Sequence, residues 1–207
     1  MIRIKICGNK RVEDMHIAAK LGAHALGFIF NIPSYPRNNT FEEAKNLVAN
    51  SPSLIDLIPV TTLENIHEVL KFGIRTIQTI GNIKEIFKLK KNYQELNLIP
   101  VLYVREELPD EGTLKICSEF KAIVIDTKSE KHLGGSGIVH DWNISRKISK
   151  ELGNVILAGG LNEKNVVEAI TKVEPYGVDV SSGVESRPGV KDSVKMRKFI
   201  EAVMKYR

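Results

Sequence analysis

Two side chains stand out for the chemistry they could do. Cys7 closes the run Ile2-Arg3-Ile4-Lys5-Ile6 and is followed by Gly8. A cysteine in such a run is ordinarily a small buried hydrophobe, but at the open end of a strand a partly ionised thiol can take a proton. Asp126 follows three apolar residues, Ile123-Val124-Ile125. An aspartate there is ordinarily a helix cap or an ion-pair partner. No helical pattern follows at once, so a carboxyl placed for function at the strand end is the stronger reading. Glycines gather at two later strand ends, Ala158-Gly159-Gly160-Leu161 and Asp179-Val180-Ser181-Ser182-Gly183. Successive glycine-bearing turns offer backbone N–H groups to an anion such as a phosphate. Arg37, in the loop Pro33-Ser34-Tyr35-Pro36-Arg37, has the fork that suits a carboxylate, although a solvated loop arginine fits that loop as well. Gly134-Gly135-Ser136-Gly137 reads as a surface loop or as a lid over a ligand.

The elements that must position these groups alternate. Short runs rich in β-branched residues occur at Ile2–Cys7, Ala25–Phe30, Leu54–Val60, Thr76–Ile80, Leu98–Val104, Ala122–Asp126, Asn154–Ala158 and Val178–Ser181. Amphipathic stretches lie between them. Thr40-Phe41-Glu42-Glu43 and Thr61-Thr62-Leu63-Glu64 have capping-box spacing. Asn82, Asp141, Asn162 and Asp192 are expected N-caps, and Gly22 and Gly73 stand where helix C-caps belong. A strand–helix unit about every 25 residues implies parallel strands joined by crossover helices. Eight units predict a (β/α)₈ barrel, one domain over residues 1–207, with a short or irregular fifth helix around Thr113–Phe120. The competing architecture, an open doubly wound sheet, lacks its G-x-G-x-x-G first turn. In the barrel, Cys7, Asp126 and both glycine turns fall at C-terminal strand ends, where barrels carry their sites.

Bulk properties narrow the function. The 207 residues hold 30 Lys+Arg against 25 Asp+Glu, a net charge of +5. The basic residues are dispersed without aromatic interleaving, so nucleic acid is not an expected partner. The densest cluster, Lys88-Leu89-Lys90-Lys91, ends a helical pattern, where cations suit the helix dipole. No apolar run approaches the ~20 residues that span a bilayer, and there is no secretory leader pattern. Two distant cysteines without a CxxC spacing fit free thiols in a reducing cytoplasm, and Cys117 reads as core. The five histidines, His16, His24, His67, His132 and His140, lack metal-ligand spacing, so no metal is expected. His16 and His67 fall on helices facing solvent.

Together these residues resemble the phosphoribosylanthranilate isomerase family. The matching pieces are Lys5-Ile6-Cys7-Gly8, Gly22-Ala23, Leu26-Gly27-Phe28, Pro36-Arg37, Asp126-Thr127-Lys128, Gly134-Gly135-Ser136-Gly137 and Asp141-Trp142. The others are Leu157-Ala158-Gly159-Gly160-Leu161-Asn162, Gly177 to Glu185, and Pro188-Gly189-Val190-Lys191-Asp192. The run from Gly177 to Glu185 combined with the first piece is the most diagnostic. The resemblance implies an Amadori rearrangement of N-(5-phosphoribosyl)anthranilate, the third step from chorismate to tryptophan, run without a cofactor. It makes Asp126 the general acid and Cys7 the base. It also assigns Arg37 and Asp179 to the anthranilate end or the sugar, and Gly159, Gly160, Ser182 and Gly183 to the phosphate. The expected partner is a small phosphosugar; the chain is expected to work as a monomer or homodimer.

The sequence also departs from the family pattern. Ile80, in Gln78-Thr79-Ile80-Gly81, stands where a histidine is usual, and Leu102-Tyr103-Val104-Arg105 replaces a lysine-containing run. Ile138 stands for a lysine, and Ile58-Pro59-Val60-Thr61 is atypical. These changes bear on substrate contacts more than on reaction type. An idle phosphosugar-binding barrel would fit the missing histidine, but not the intact Cys7 and Asp126. An aminoaldose-phosphate isomerase of the histidine-pathway kind would carry paired aspartates instead of Cys7.

Overall fold

The computed structural model describes residues 1–104, 107–127 and 141–206. Its barrel strands are β1 (Arg3–Ile6), β2 (Ala25–Phe30), β3 (Asp56–Thr62), β4 (Thr76–Ile80), β5 (Asn97–Val104), β6 (Ile123–Thr127), β7 (Val155–Leu157) and β8 (Gly177–Val180). Each pairs in parallel with the next, and β1 pairs with both β2 and β8, which closes the cylinder. The helices are α1 (Val12–Leu21), α2 (Phe41–Ala49), α3 (Ile66–Leu70), α4 (Ile83–Asn92), α5 (Glu111–Cys117), α6 (Trp142–Leu152), α7 (Val166–Val173) and α8 (Ser193–Lys205). The expected (β/α)₈ architecture is therefore the observed one.

Strand alternation separates two cores. Ile4, Ile6, Leu26, Phe28, Phe30, Ile123, Ile125, Leu157 and Val178 face outward and join one apolar cluster with the buried helix faces. The opposite parity points into the barrel, where successive side chains of a strand take alternate faces. Ala25, Ile58, Ile99, Val101, Val124 and Ala158 form a smaller cluster there. Helix α8 shows how the outer layer is made: Met196, Phe199, Ile200 and Val203 are all buried, at the i, i+3, i+4, i+7 spacing of one helical face. Each such side chain stabilises the shell by roughly 1.5–3 kcal/mol.

Capping decides several boundaries. Thr40 and Glu43 form a complete capping box, and Asn82, Asp141 and Asp192 each accept a backbone N–H at a helix start. Gly22 ends α1 in the left-handed region. Asp110 accepts from Thr113 and starts α5 earlier than Thr113, so this short helix runs over Glu111–Cys117. Two expected caps are corrected. Asn165, not Asn162, precedes α7; Asn162 closes a turn by accepting from Lys164 N. No capping box forms at Thr61, because its hydroxyl instead donates to Phe30 O at 2.8 Å. A 3₁₀ turn, Leu63–Asn65, precedes α3, which has only five residues. The third helix is thus shorter than the fifth. Strand β3 begins two residues later than expected: Leu54 has φ +62° and stands fully exposed in the preceding turn.

Three short segments that the alternation did not reveal support the barrel mouth. Asn38–Asn39 pairs in parallel with the end of β2. Glu185–Arg187 and Val190–Lys191 form an antiparallel hairpin after β8.

Candidate active site

A pocket opens at the C-terminal ends of the strands. Cys7, Arg37, Asp126, Gly159, Gly160, Asp179 and Ser182 all line it. The structure thus brings together residues from five of the eight strand ends or their loops. Gly183 does not line it. It sits under Ser182, where an added Cβ would lie 1.9 Å from Leu161 O. The absent side chain lets the β8 turn lie directly on the β7 turn. Gly159 and Gly160 both have positive φ, +85° and +67°. A Cβ at Gly159 would also fall 2.9 Å from Asp126 Oδ1, so that turn presses against the carboxyl. The Gly134–Gly137 segment and Ile138 lie outside the described residues.

Asp126 enters at the end of β6, partly buried. Burial pushes its carboxyl up to about 6; Asp179 adds to the rise, while the Thr127 N–H (2.7 Å from Oδ1) and Lys5 oppose it. Its proton is therefore retained to a pH where an ordinary aspartate has lost it. Cys7 is buried at the end of β1, and burial raises its thiol above the usual range. Asp179 raises it further, while Lys5 and Lys191 pull it down.

Lys5 is a charged side chain of this pocket's inner face that the sequence alone did not single out. It lies two positions before Cys7 on β1, so the two share the inner face. Its ammonium is buried and reaches Asp179 Oδ2 at 2.7 Å and Gln78 Oε1 at 2.9 Å. A Cβ on Gly27 would meet both Cys7 Sγ (2.7 Å) and Lys5 Nζ (2.9 Å), so the bare glycine gives both groups room. Asp179 Oδ1 is buried and has no hydrogen-bond partner among the described residues. The parity rule was the available signal: in Arg3-Ile4-Lys5-Ile6-Cys7, whatever points Cys7 inward also points Lys5 inward.

Arg37 is buried, and its fork is already engaged. Nε and Nη2 donate to Glu185 at 2.8 and 2.7 Å. Lys191 completes the group, donating to Glu185 Oε1 at 2.9 Å, to Ser181 O, and to Cys7 O. The bracing cations hold the Glu185 carboxyl below the usual carboxylate range, against its burial. Asn39 fixes the Arg37 loop by donating to Asn9 O and Ile29 O. Among the described residues no group of three His, Cys, Asp or Glu could hold a metal ion, and no helix is long and apolar enough to cross a membrane.

A closed parallel barrel with an acid, a thiol and two glycine turns converging at its mouth defines a (β/α)₈-barrel enzyme. Residues 4–202 match the family model for N-(5'-phosphoribosyl)anthranilate isomerase. An N-(5'-phosphoribosyl)anthranilate isomerase of Legionella pneumophila is 38% identical over 209 residues, covering 98% of this chain and 97% of the relative. The fold is similar to the crystal structure of phosphoribosylanthranilate isomerase from Thermotoga maritima, with TM-score 0.82, 27% identity and 99% of each chain covered. It is also similar to a phosphoribosylanthranilate isomerase solved with reduced 1-(o-carboxyphenylamino)-1-deoxyribulose 5-phosphate, at TM-score 0.78, 26% identity and 99% of each chain. The chain belongs to the N-(5'-phosphoribosyl)anthranilate isomerase family and is an isomerase of tryptophan biosynthesis.

Proposed function

We propose that this chain isomerises N-(5-phosphoribosyl)anthranilate to 1-(2-carboxyphenylamino)-1-deoxyribulose 5-phosphate, with Asp126 as general acid and Cys7 as base. The observation that carries the assignment is that the two groups line one pocket at the barrel mouth, with the Asp126 carboxyl shifted to about 6. The acid gives its proton to the ribose ring oxygen and the C1–O bond breaks, leaving a C1 iminium on the substrate's own nitrogen. Cys7, as thiolate, takes the C2 proton, and the electron pair moves to the iminium to give an enolamine. A proton added at C1 and one lost from the C2 hydroxyl complete the ketone, so the protons lent and taken balance.

Lys5 helps at the second step. Its ammonium beside the thiol offsets the burial that otherwise disfavours a thiolate. It also holds Asp179, whose unpartnered Oδ1 suits a sugar hydroxyl. The phosphate rests on backbone N–H groups of the Gly159-Gly160 and Ser182-Gly183 turns, where no cation is needed. Arg37 is held on one edge by Glu185, and its Nη1, which donates to no protein group among the described residues, serves the aryl end. Its partner is the small phosphosugar, and the chain works as a monomer or homodimer.

The test mixes purified protein with freshly made phosphoribosylanthranilate and follows its fluorescence loss. Wild type turns over; Cys7→Ser and Asp126→Asn each lower kcat by about 10²–10⁴, the usual size of a general acid or base contribution. No turnover by the wild type would sink the isomerase reading. A near-normal rate in either variant would remove that residue from its role.

A further inference from the structure

Across the mouth from the two glycine turns stands a wall that the mechanism leaves unused. It consists of Ile29 from β2, Val60 from β3 and Ile80 from β4, with Tyr35 from the loop after β2 and Tyr103 from β5. Ile80 packs against both the cluster that contains Tyr35 and the one beside Tyr103. Tyr103 is the direct cross-strand partner of Asp126. The two phenols face each other and both feel the Asp126 carboxyl. Tyr35 is 9% exposed, and its buried hydroxyl has the Tyr103 phenol beside it but no partner of standard hydrogen-bond geometry among the described residues. A buried hydroxyl without a partner costs about 1–3 kcal/mol, a cost that an arriving acceptor removes.

The position identifies the acceptor. Tyr35 is two residues from Arg37, whose charge is largely spent on Glu185. The wall is apolar apart from the phenols, and it lies opposite the turns assigned to the phosphate. We propose that Tyr35, oriented by Tyr103, is a specificity-determining residue that donates its hydroxyl to the carboxylate on the substrate's aryl ring, supplying the polar contact that Ile80 cannot. This rests on the isomerase reading above. It makes the aryl subsite a place where a neutral donor and one free guanidinium N–H read the carboxylate together.

Calorimetric titration tests it with two probes: the reduced product analogue and the same compound lacking the ring carboxyl. Tyr35→Phe is expected to weaken the carboxylated probe about tenfold, as for a hydrogen bond to a charged group, and to leave the carboxyl-free probe within about twofold. In turnover the loss falls on KM more than on kcat. Tyr103→Phe gives a smaller loss of the same kind, and adding Ile80→His to Tyr35→Phe restores part of the affinity. Equal weakening of both probes, or none, would overturn the proposal and make Tyr35 packing alone. Failure of wild type to bind either probe would instead strike the isomerase reading.

Discussion

The two sides of the mouth are built from different materials. The side over β7 and β8 is backbone: Gly159 and Gly160 turn through positive φ, and Gly183 lets one turn rest on the other. The side over β2 to β5 is side chain: Tyr35, Ile80, Tyr103 and an arginine braced by a glutamate. Backbone cradles tolerate little change, because nothing in them can move aside. Side-chain walls can exchange residues as long as volume and donors are kept. The sequence follows that division: the glycine turns match the family pattern, and the departures at Ile80 and Tyr103 fall on the wall.

That contrast can be broken at its rigid side first. Gly183→Ala would drive a Cβ into Leu161 O, an overpacking that cannot be relieved by a rotamer change and costs about 3 kcal/mol. Urea unfolding should show the loss, and KM should rise as the turns separate. Unchanged stability would mean that the backbone side is as pliant as the wall.

Asp126 sits on the seam between the two sides, and its protonation gives a smaller effect of known sign. A carboxyl with a raised folded-state pKa contributes stability below its unfolded value, and this is lost as pH rises through about 6. Relative to wild type, Asp126→Asn should therefore gain about 2 kcal/mol between pH 4 and pH 7. Denaturant midpoints measured across that range check it; parallel curves would place the carboxyl in ordinary surroundings. Activity runs the other way. The thiol pKa lies above that of the carboxyl, so kcat/KM should fall as pH drops below about 6, where the pair carries one proton too many.

The flexible side should respond least. Arg37→Ala is expected to raise KM roughly tenfold, the loss of about one charge-assisted contact, with kcat less affected. Because Arg37 also braces Glu185, Glu185→Gln should reproduce part of that rise without removing the guanidinium. A normal KM in Arg37→Ala would assign the aryl end wholly to the two phenols.

How far the sequence could be read follows the same division. Strand positions were legible from β-branched runs, and Cys7, Asp126 and the glycine turns from their places at strand ends. Leu54 misled because an apolar residue in a turn looks like the start of a strand. The shortness of α3 was hidden by a capping-box spacing at Thr61, whose hydroxyl went to a neighbouring strand. Lys5, Glu185 and Lys191 were not assigned roles because charged residues are mostly exposed. What buries them is closure: Lys5 meets Asp179 from 174 positions away, and local pattern carries no trace of that. Arg37 was legible as a fork, but its partner Glu185, 148 positions on, was not.

The Lys191 ammonium joins the carbonyls that follow the first and last strands to a hairpin that forms only after both exist. The thiol near the start of the chain thus acquires its setting from residue 191. During synthesis, a ribosome that has made seven strands has made a sheet with an open gap and a thiol that still lacks the second of its two cations, Lys191. Contacts this distant form late and slowly, so activity should appear in one step with the closing of the gap. In this architecture the catalytic centre and the fold's last stitch are the same event.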